Sequence, residues 1–410
     1  RRSNYEVEKF SGAGRLALIQ RTIWSSDTHR EFSRILREEK PDLVHVHNTF
    51  MMISPSIYSA CREAGIPVVQ TLHNYRLLCP GTNLFRDGRV CEECIDHTLL
   101  RGVIHGCYRE SRAATATTAL MLAIHRAMGT WQDNVDAFIA TTEFARQKFI
   151  GGGLPANRIH VKSNFLDNDP GPKTEAGDFA LFVGRLSPEK GGDILLDAWE
   201  RLRLPIPLQM IGDGPMRGQL EAQAAQRGLS NVQFRGQLPR GEVIGAIKKA
   251  RFVIVPSQCY ENFPVTIAEA FACGTAVICS GHGGMKEIVA DQSTGLHFTP
   301  GEPADLAAKV HWAWTHSTEM EEMGKAARLE YETRYTSERN YAILAGIYAQ
   351  VVSARKRVDE SVHSFEAPRT EIAAADVPPG VSGASFLSEE SEGSSPVRFP
   401  TDPGNVLPRG

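Results

Sequence analysis

The sequence lacks any long apolar run and any large excess of charge of one sign. None of the apolar segments in its 410 residues reaches the length of about 18 that a transmembrane helix requires. Its 45 Lys and Arg against 48 Asp and Glu leave a net charge of −3, which gives no basis for bulk nucleic-acid binding. Because the chain begins at Arg1 instead of a methionine, it supports no inference about a targeting segment. The hydrophobic share of 42% is typical of a globular protein, and the length has room for two domains.

Strand-like apolar runs alternate with helical patterns along most of the chain. The first half contains DLVHVH, IPVVQTL, DAFIAT and RIHVK, and the second contains FALFVG, PLQMIG, VQFRG, RFVIVPS, TAVICS and GLHF. Helical segments such as GGDILLDAWERL lie between these runs. The alternation predicts βαβ units and therefore an α/β fold with parallel sheets.

A break rich in Pro, Gly, Asp and Asn, SNFLDNDPGPKTEAGD, separates the two sets of runs. It is typical of a linker and predicts two domains, over residues 1–163 and 164–337. Residues 338–354 are predicted to form a helix that returns to the first domain. From residue 358 to residue 410 the chain is rich in Ser, Pro, Gly and Glu, which predicts a disordered tail.

The segment CYENFPVTIAEAFACG places two glutamates, Glu261 and Glu269, on either side of seven mostly apolar residues. Pro264 suits the first position of a helix and Gly274 suits its end, so Glu261 is predicted in the loop before the helix and Glu269 inside it. Such loops, at the carboxyl ends of parallel strands, bind ligands, and the free amides of a helix amino end favour an anion. The spacing suits a ligand with an anionic middle and hydroxyls on either side. The alternative is two solvated glutamates.

Two cations follow an apolar strand in FVGRLSPEKGGDILLDAWE, namely Arg185 and Lys190. Cations close to the amino end of a helix make a site for a diphosphate, because their attraction adds to that of the free amides. The alternative is a solvated surface pair.

The motifs of the second half occur in a fixed order: GRLSPEKG, IGDGP, the glutamate pair, GGMKEIV and TGLHF. This ordered set resembles the group 1, or family 4, glycosyltransferases, over residues 40–350. The resemblance implies the GT-B fold, in which two Rossmann-like parallel-sheet domains face a cleft. It also implies a retaining, metal-independent enzyme of the hexosyltransferase type. Such an enzyme moves a sugar from a UDP- or GDP-linked donor to a glycan or lipid-linked acceptor in cell-surface polysaccharide or glycolipid synthesis.

The resemblance also implies roles for individual residues. Glu269 would hydrogen-bond the ribose of the sugar donor, Glu261 would lie by the transferred sugar, and Arg185 and Lys190 would neutralise the diphosphate without a metal or other catalytic cofactor. The implied donor-binding set is Gly184, Arg185, Lys190, Gly212, Glu261, Asn262, Phe263, Pro264, Val265 and Glu269.

Histidines follow two predicted strands of the first half, His47 in LVHVHN and His73 in VVQTLHN. In the family a histidine at the position of His73 lies close to the donor sugar, so His73 and Glu261 are the predicted catalytic residues. His47 and Asn48 are predicted acceptor contacts. Glu143, in TTEFARQKF, is either a residue at the edge of the cleft or an acid favoured by its helix dipole.

Four cysteines fall in the loop-rich segment 79–107: Cys79, Cys91, Cys94 and Cys107. Four thiolates suit a tetrahedral structural zinc, but only Cys91 and Cys94 form a CxxC pair. Free thiols and a redox pair are the alternatives. The apolar helix predicted in SRAATATTALMLAIHRAMGTW is either a packed helix or a surface for peripheral membrane contact. The predicted location is cytoplasmic, with peripheral contact at the inner membrane face as a further option.

The family opens with a strand, a Gly-rich loop and a helix that precede the first residue of this chain. The segment RRSNYEVEKF is similar to the segment after the second strand of such proteins. The resemblance therefore implies an N-terminally truncated first domain that is inactive or needs further sequence. The alternatives are a non-catalytic nucleotide-sugar binding protein and a phosphorylase or epimerase on the same architecture.

Overall fold

Two parallel β-sheets organise the residues that the computed structural model describes, which are 13–50 and 53–365. Both sheets belong to one compact unit that ends at Ser361. The opening segment RRSNYEVEKF and the part of the predicted tail beyond residue 365 lie outside the described residues. None of the helices in the described ranges is long and apolar enough to cross a membrane.

The first half of the chain forms a parallel sheet with helices around it and an inserted hairpin. Its strands are β1 Val44–Val46, β2 Val68–Leu72, β3 Phe85–Arg86, β4 Arg89–Val90, β5 Ala137–Ala140 and β6 Ile159–Val161. Its helices are α1 Ala13–Ile23, α2 Ser26–Glu39, α3 Ser56–Glu63, α4 Glu93–Asp96, α5 Leu100–His105, α6 Arg112–Ala127, α7 Thr130–Asn134 and α8 Glu143–Gly151. Within the described ranges the sheet has the order β1-β2-β5-β6, and β3 and β4 pair antiparallel outside it.

The second half forms a six-stranded parallel sheet in the order β12-β11-β10-β7-β8-β9, counted over the described residues. Its strands are β7 Phe179–Val183, β8 Leu208–Ile211, β9 Val232–Gly236, β10 Ala250–Val255, β11 Val277–Ser280 and β12 Gly295–Phe298. The helices are α9 Gly192–Arg201, α10 Arg217–Gln226, α11 Arg240–Lys249, α12 Val265–Ala272, α13 Gly283–Ile288, α14 Pro303–Thr315, α15 Ser317–Arg334 and α16 Ser337–Phe365. The strand order reverses between β7 and β10, which is the switch point where such sheets bind ligands.

Alternating side chains along each central strand enter cores on opposite faces of the sheet. Phe182 of β7 packs into one core and Leu181 into the other. In the first sheet, Phe138 and Ile139 of β5 divide in the same way. Strands buried on both faces need nearly continuous apolar runs, which explains why these segments could be recognised in the sequence.

The loops after β7 and β10 touch each other at the switch point. Gly191 adopts a φ of +69°, and a Cβ there would collide with the Pro256 carbonyl oxygen, so only glycine fits. The helix α12 begins at Val265, and Pro264 is its cap with an extended ψ of 111°, so the prediction that Pro264 is the first helical residue is off by one. Gly274 has a φ of +64° directly after the helix, as its predicted role requires.

The C-terminal helix α16 packs on the first sheet. Ile347 and Val351 share a core with Val69 of β2 and Ile139 of β5. The predicted end of this helix near Ala354 is wrong, because α16 continues to Phe365. A loss of apolar residues does not stop a helix, since solvated residues such as Lys356 are good helix formers.

Candidate functional site

An ion pair joins the two loops that meet at the switch point. Lys190 Nζ lies 2.5 Å from Glu261 Oε1, and the same oxygen accepts a hydrogen bond of 2.7 Å from the Ser257 hydroxyl. The two charged side chains are 28% and 14% exposed. Burial opposes the charge on Lys190, but the attraction of Glu261 outweighs it and raises the pKa of the lysine. The contact between Lys190 and Glu261 is therefore in place without a ligand.

Arg185, the other predicted cation, is exposed on the loop after β7. Among the described residues its guanidinium has no carboxylate partner and no hydrogen bond from or to its side chain. The two cations predicted to act alike therefore differ: the charge of Lys190 is matched by Glu261, whereas that of Arg185 is open to an incoming anion.

Glu269 is almost buried, with 9% exposure, in the second turn of α12. Burial raises the pKa of its carboxyl, and Arg240, whose Nε lies 3.6 Å away, opposes that rise. Within the part of the chain that the structure describes, no N–H or O–H group donates a hydrogen bond to the carboxylate. A half-paired, nearly buried carboxylate is a suitable acceptor for ligand hydroxyls.

Gly184 and Gly212 let the ends of β7 and β8 approach each other. Gly212 has a φ of +138°, and a Cβ there would collide with the carbonyl oxygen of Gly184. The Gly212 amide donates to the Gly236 carbonyl at the end of β9. The glycines predicted to border the ligand thus bring three strand ends together in backbone contact.

The loop of Asn262 and Phe263 links the second sheet to the first. Asn262 Nδ2 donates to the Leu72 carbonyl at 3.2 Å, and the Asn262 carbonyl accepts from the Thr141 hydroxyl at 3.1 Å. Phe263 is buried in the core beneath α12, so only its backbone is left for a ligand, while the side chain of Val265 is 42% exposed. Each half of the chain therefore fixes the position of this loop.

His47 and His73 lie directly after β1 and β2, as predicted, and they contact each other. His47 Nδ1 is 2.8 Å from His73 Nε2. Burial lowers the pKa of both imidazoles, and the nearby cation of Lys162 lowers it further. Neutral imidazoles here can donate one hydrogen bond and accept another.

His45, which was not singled out from the sequence, extends this row of histidines. Its ring lies 4.2 Å from that of His47. Its nitrogens bond the Tyr348 hydroxyl at 2.6 Å and the Thr71 hydroxyl at 2.8 Å. Burial, followed by the charges of the neighbouring groups, lowers the pKa of His45 to about 4. The sequence offered one signal for it, the alternation of histidines in VHVH, but its partner Tyr348 lies on a distant helix.

Asn48 and Glu143 play local structural parts. The Asn48 side chain accepts a hydrogen bond from the Phe50 amide. Asn48 and Phe50 line a cavity of about 40 Å³ beside His47 and His73. A cavity of this size holds water but no sugar ring. The Glu143 carboxylate accepts from Arg146 and Gln147 of its own helix.

Glu287, which lies in the GGMKEIV motif, caps α8 from the other half of the chain. Its carboxylate accepts the amides of Glu143 at 2.9 Å and Phe144 at 2.8 Å. These amides are the first two of the helix, where a negative charge is favoured. The motif marked this segment as functional, but nothing in the sequence indicated a partner on α8.

The four cysteines of the insertion surround the β3–β4 hairpin and are unbridged. In the described ranges, no three His, Cys, Asp or Glu side chains are grouped so that they could hold a metal ion. Structural zinc therefore stays a prediction.

Comparison with known sequences gives matches to two family models that adjoin each other. The family described as glycosyl transferases group 1 matches residues 166–330, and that described as glycosyltransferase family 4 matches residues 12–169. The chain is 34% identical over 325 residues to the glycogen synthase of Mycobacterium tuberculosis, covering 78% of this chain and 70% of that protein. It is 34% identical over 161 residues to the D-rhamnosyltransferase WbpZ of Pseudomonas aeruginosa, covering 39% of this chain and 42% of that protein. The chain thus spans less than half the length of this second relative.

Comparison with solved structures identifies the fold. The Anabaena protein HepE in complex with UDP superposes with a TM-score of 0.57 at 21% identity, covering 82% of each chain. Sucrose-phosphate synthase from Thermosynechococcus elongatus gives a TM-score of 0.61 at 19% identity, covering 80% of this chain and 77% of that one. The two parallel sheets are therefore arranged as in the GT-B fold, as the sequence predicted.

Proposed function

Because this chain belongs to the group 1 and family 4 glycosyltransferases, we propose that it transfers a hexose from a nucleotide-diphosphate sugar to an acceptor hydroxyl. The observation that carries the proposal is the charge arrangement at the switch point. The segment before α9 carries two cations, Arg185 without a carboxylate partner among the described residues and Lys190 paired with Glu261. The Glu269 carboxylate, which can accept hydrogen bonds from a ligand, lies in α12. This arrangement suits a ligand with a diphosphate between a ribose and a sugar.

The sugar donor is proposed to carry UDP or GDP. Of the two nucleotides UDP is the better supported, since HepE was solved with UDP and with UDP-glucose. The two hydroxyls of a ribose would replace the hydrogen bonds that the Glu269 carboxylate lacks. Backbone groups from Asn262 to Val265 would face the sugar and the diphosphate, because the Phe263 side chain is committed to the core.

Transfer requires the bond between the anomeric carbon and the diphosphate oxygen to break, and the electron pair leaves with the diphosphate. Arg185 and Lys190 would stabilise the negative charge of this leaving group. Glu261 has its charge matched by Lys190, and one of its oxygens accepts from Ser257. This suits stabilisation of positive charge at the anomeric carbon better than covalent attack on it. Retention of configuration is inferred from the family.

Metal independence is also part of the proposal. An Asp-x-Asp motif could hold a metal ion, and the one such motif in the sequence is Asp167-Asn168-Asp169. Both carboxylate oxygens of Asp169 are bound by Arg328 at 2.6 Å, so this aspartate is committed to an ion pair. Charge on the diphosphate would be met by Arg185, by Lys190 and by the amides at the amino end of α12.

His73 is proposed to act on the sugar from the first half of the chain. Asn262 bonds to the carbonyl of Leu72, the residue before His73, and thereby holds this histidine next to the loop of Glu261. A neutral imidazole can hydrogen-bond a sugar hydroxyl or accept a proton from the acceptor. His47 would orient the ring through its bond to His73 Nε2.

The acceptor is proposed to be a cell-surface glycan or a lipid-linked sugar, reached by peripheral contact with a membrane. Relatives named as a D-rhamnosyltransferase and as an O-antigen chain mannosyltransferase support the first part. Apolar side chains on α5 and at α6 support the second: Leu100 is 59% exposed, Ile104 49%, Leu120 49% and Met128 57%. Exposed apolar groups near basic ones such as Arg101 and Arg112 suit a membrane surface.

Calorimetry with UDP, GDP and their hexose conjugates tests the proposal, using the full chain, Glu269→Ala and Glu322→Ala. Glu322 is an exposed glutamate on α15 and serves as the matched control. Loss of two charge-assisted hydrogen bonds should weaken binding by roughly 100-fold in Glu269→Ala, with no change in Glu322→Ala. Binding should also weaken on acidification, as the raised pKa of Glu269 is crossed and its carboxylate is protonated.

Folded protein that binds none of these compounds would overturn the proposal. Binding of a nucleotide sugar without turnover on any acceptor would instead support the alternative of a binding protein. Equal loss in both variants would show that the effect is not specific to the ribose site.

A further inference from the structure

The cysteine-rich insertion reaches the loop that carries Glu261. Glu92, which lies between Cys91 and Cys94, accepts from Lys148 Nζ of α8 at 2.6 and 2.7 Å, one bond to each carboxylate oxygen. The two side chains are 24% and 25% exposed, so solvent screens the pair only in part. The insertion is thereby attached to the first helix after β5.

Tyr260, the residue before Glu261, sits in the same contact. Its ring lies 4.7 Å from that of Phe144 in an edge-on arrangement, and Lys148 Nζ lies 5.3 Å above it. Burial, followed by the charge of the Glu92 carboxylate, raises the pKa of Tyr260. The tyrosine belongs to the second half of the chain, yet it packs against the core of the first sheet.

The position of Tyr260 fixes the backbone around it. Gly283 has a φ of +58°, and a Cβ there would lie 3.1 Å from the Tyr260 ring. A Cβ on Gly284 would lie 2.7 Å from the Glu261 carbonyl oxygen. The chain around Glu261 is thus held between the start of α13 on one side and the contact of Glu92 and Tyr260 on the other.

We propose that Glu92, in the cysteine-rich insertion, is a positioning residue. It holds Tyr260, and therefore the Glu261–Lys190 pair, in the position that binds the sugar donor. The inference rests on the proposed function, and it gives a role to an insertion that the donor site itself does not use. Without the Glu92 carboxylate, Lys148 loses its ion partner and is no longer held over the Tyr260 ring. Glu261 then follows a looser backbone.

The neighbouring glutamate supplies a matched control. Glu93 lies in the same CxxC segment, but its carboxylate binds Arg86 of the β3–β4 hairpin at 2.6 Å. Its ion pair with Arg86 lies within the insertion, and its second carboxylate oxygen lies 3.7 Å from His105 Nε2 of the same segment. Glu92→Gln and Glu93→Gln therefore make the same change of charge one residue apart, and only the first meets the donor loop.

The experiment measures hydrogen exchange and donor binding in the full chain. In Glu92→Gln without ligand, amides of residues 257–263 should exchange about tenfold faster, because a contact that holds this loop is lost. The Kd of the nucleotide sugar that binds the unmodified chain should rise about tenfold, as expected for one charge-assisted contact. Glu93→Gln should leave both quantities unchanged. Tyr260→Phe is also measured alone and combined with Glu92→Gln. The double variant should bind the donor no more weakly than the weaker-binding single variant, because both changes act through one contact.

Unchanged exchange and unchanged Kd in folded Glu92→Gln would overturn the inference. So would equal effects of Glu92→Gln and Glu93→Gln, since these would indicate a general loosening of the insertion. Failure of the proposed function looks different: the unmodified chain then binds no nucleotide sugar at all, and exchange alone reports whether Glu92 holds the loop.

Discussion

The carboxyl edges of the two sheets carry opposite kinds of chemistry. At the second sheet the side chains are ionic: Lys190 is paired with Glu261, and Glu269 lies beside Arg240. At the first sheet β1 and β2 end in histidines, whose pKa values are lowered by burial and by neighbouring charge. Fixed charges can hold an anion, and neutral imidazoles can exchange hydrogen bonds and protons without attracting one. The difference predicts that the second sheet governs binding of the sugar donor and the first sheet governs turnover.

The local environment maintains this difference. Lys162, at the end of β6, is buried, and its Nζ donates to Asn340 at 3.0 Å. Its charge lies close enough to lower the pKa of His45, His47 and His73. A single buried cation therefore helps to keep the histidines of the first edge neutral, whereas at the second edge Glu261 raises the pKa of Lys190 and favours its charged form.

The largest expected effect comes from His73, which directly follows Leu72, the residue bonded to Asn262. His73→Ala should lower kcat by about 100-fold or more, the size expected when one preorganised hydrogen-bonding group is removed from an active site. The Kd of the sugar donor should stay within about twofold, because the charges of the second sheet are untouched. Steady-state kinetics and calorimetry on the same preparation measure the two quantities.

His47→Ala is the companion variant for this prediction. It removes the imidazole that orients His73 but leaves His73 itself, so kcat should fall by only about tenfold. If His73→Ala raised the Kd of the donor as much as it lowered kcat, the division between binding and turnover would be refuted.

The second prediction separates the two cations of the second sheet. Lys190→Ala leaves the carboxylate of Glu261 without its ion partner, and donor affinity should fall by about 100-fold with a clear loss of thermal stability. Arg185→Ala removes an exposed cation that has no partner among the described residues, and affinity should fall about tenfold at unchanged Tm. Calorimetry and thermal unfolding on both variants measure these differences. Equal losses of Tm would contradict the view that only Lys190 is paired before the ligand binds.

Most of the second sheet and its site could be predicted from the sequence, because their determinants are local. Buried parallel strands are short apolar runs, and Gly191 and Gly274 have positive φ angles that favour glycine. The glutamates of the E-x7-E pair were assigned to a loop and a helix from their spacing, and the structure has them there. The two-sheet α/β architecture followed from the alternation of runs.

The contacts that join distant segments could not be predicted. His45 meets Tyr348, Glu287 caps α8, and Glu92 reaches Lys148, each over a separation that no local pattern encodes. The ion pair of Lys190 and Glu261 could not be predicted either, because the sequence indicated only that each residue contacts the ligand. The C-terminal helix extends beyond its predicted end, because a Ser- and Glu-rich composition does not by itself show disorder and helix propensity continues past Ala354.

The smallest expected effect tests whether the first edge must stay neutral. The folded-state pKa of His45 is about 4, below its ordinary 6.5, so folding favours the neutral ring. Its contribution to stability is therefore fully present above pH 6.5 and is lost as the pH falls from 6.5 towards 4. His45→Gln keeps a hydrogen-bonding side chain that does not titrate, and it should lessen the loss of unfolding free energy at pH 5 by about 1 kcal/mol. This is roughly half of the linkage free energy for a pKa lowered from 6.5 to about 4, because solvent screens the half-buried ring. His47 and His73 remain in both proteins, so the difference between the two pH profiles from denaturant unfolding isolates His45.

His311→Gln, at an exposed position on α14, is the control. A profile for His45→Gln that parallels the unmodified chain would show that the bond of His45 to Tyr348 does not depend on the neutral ring.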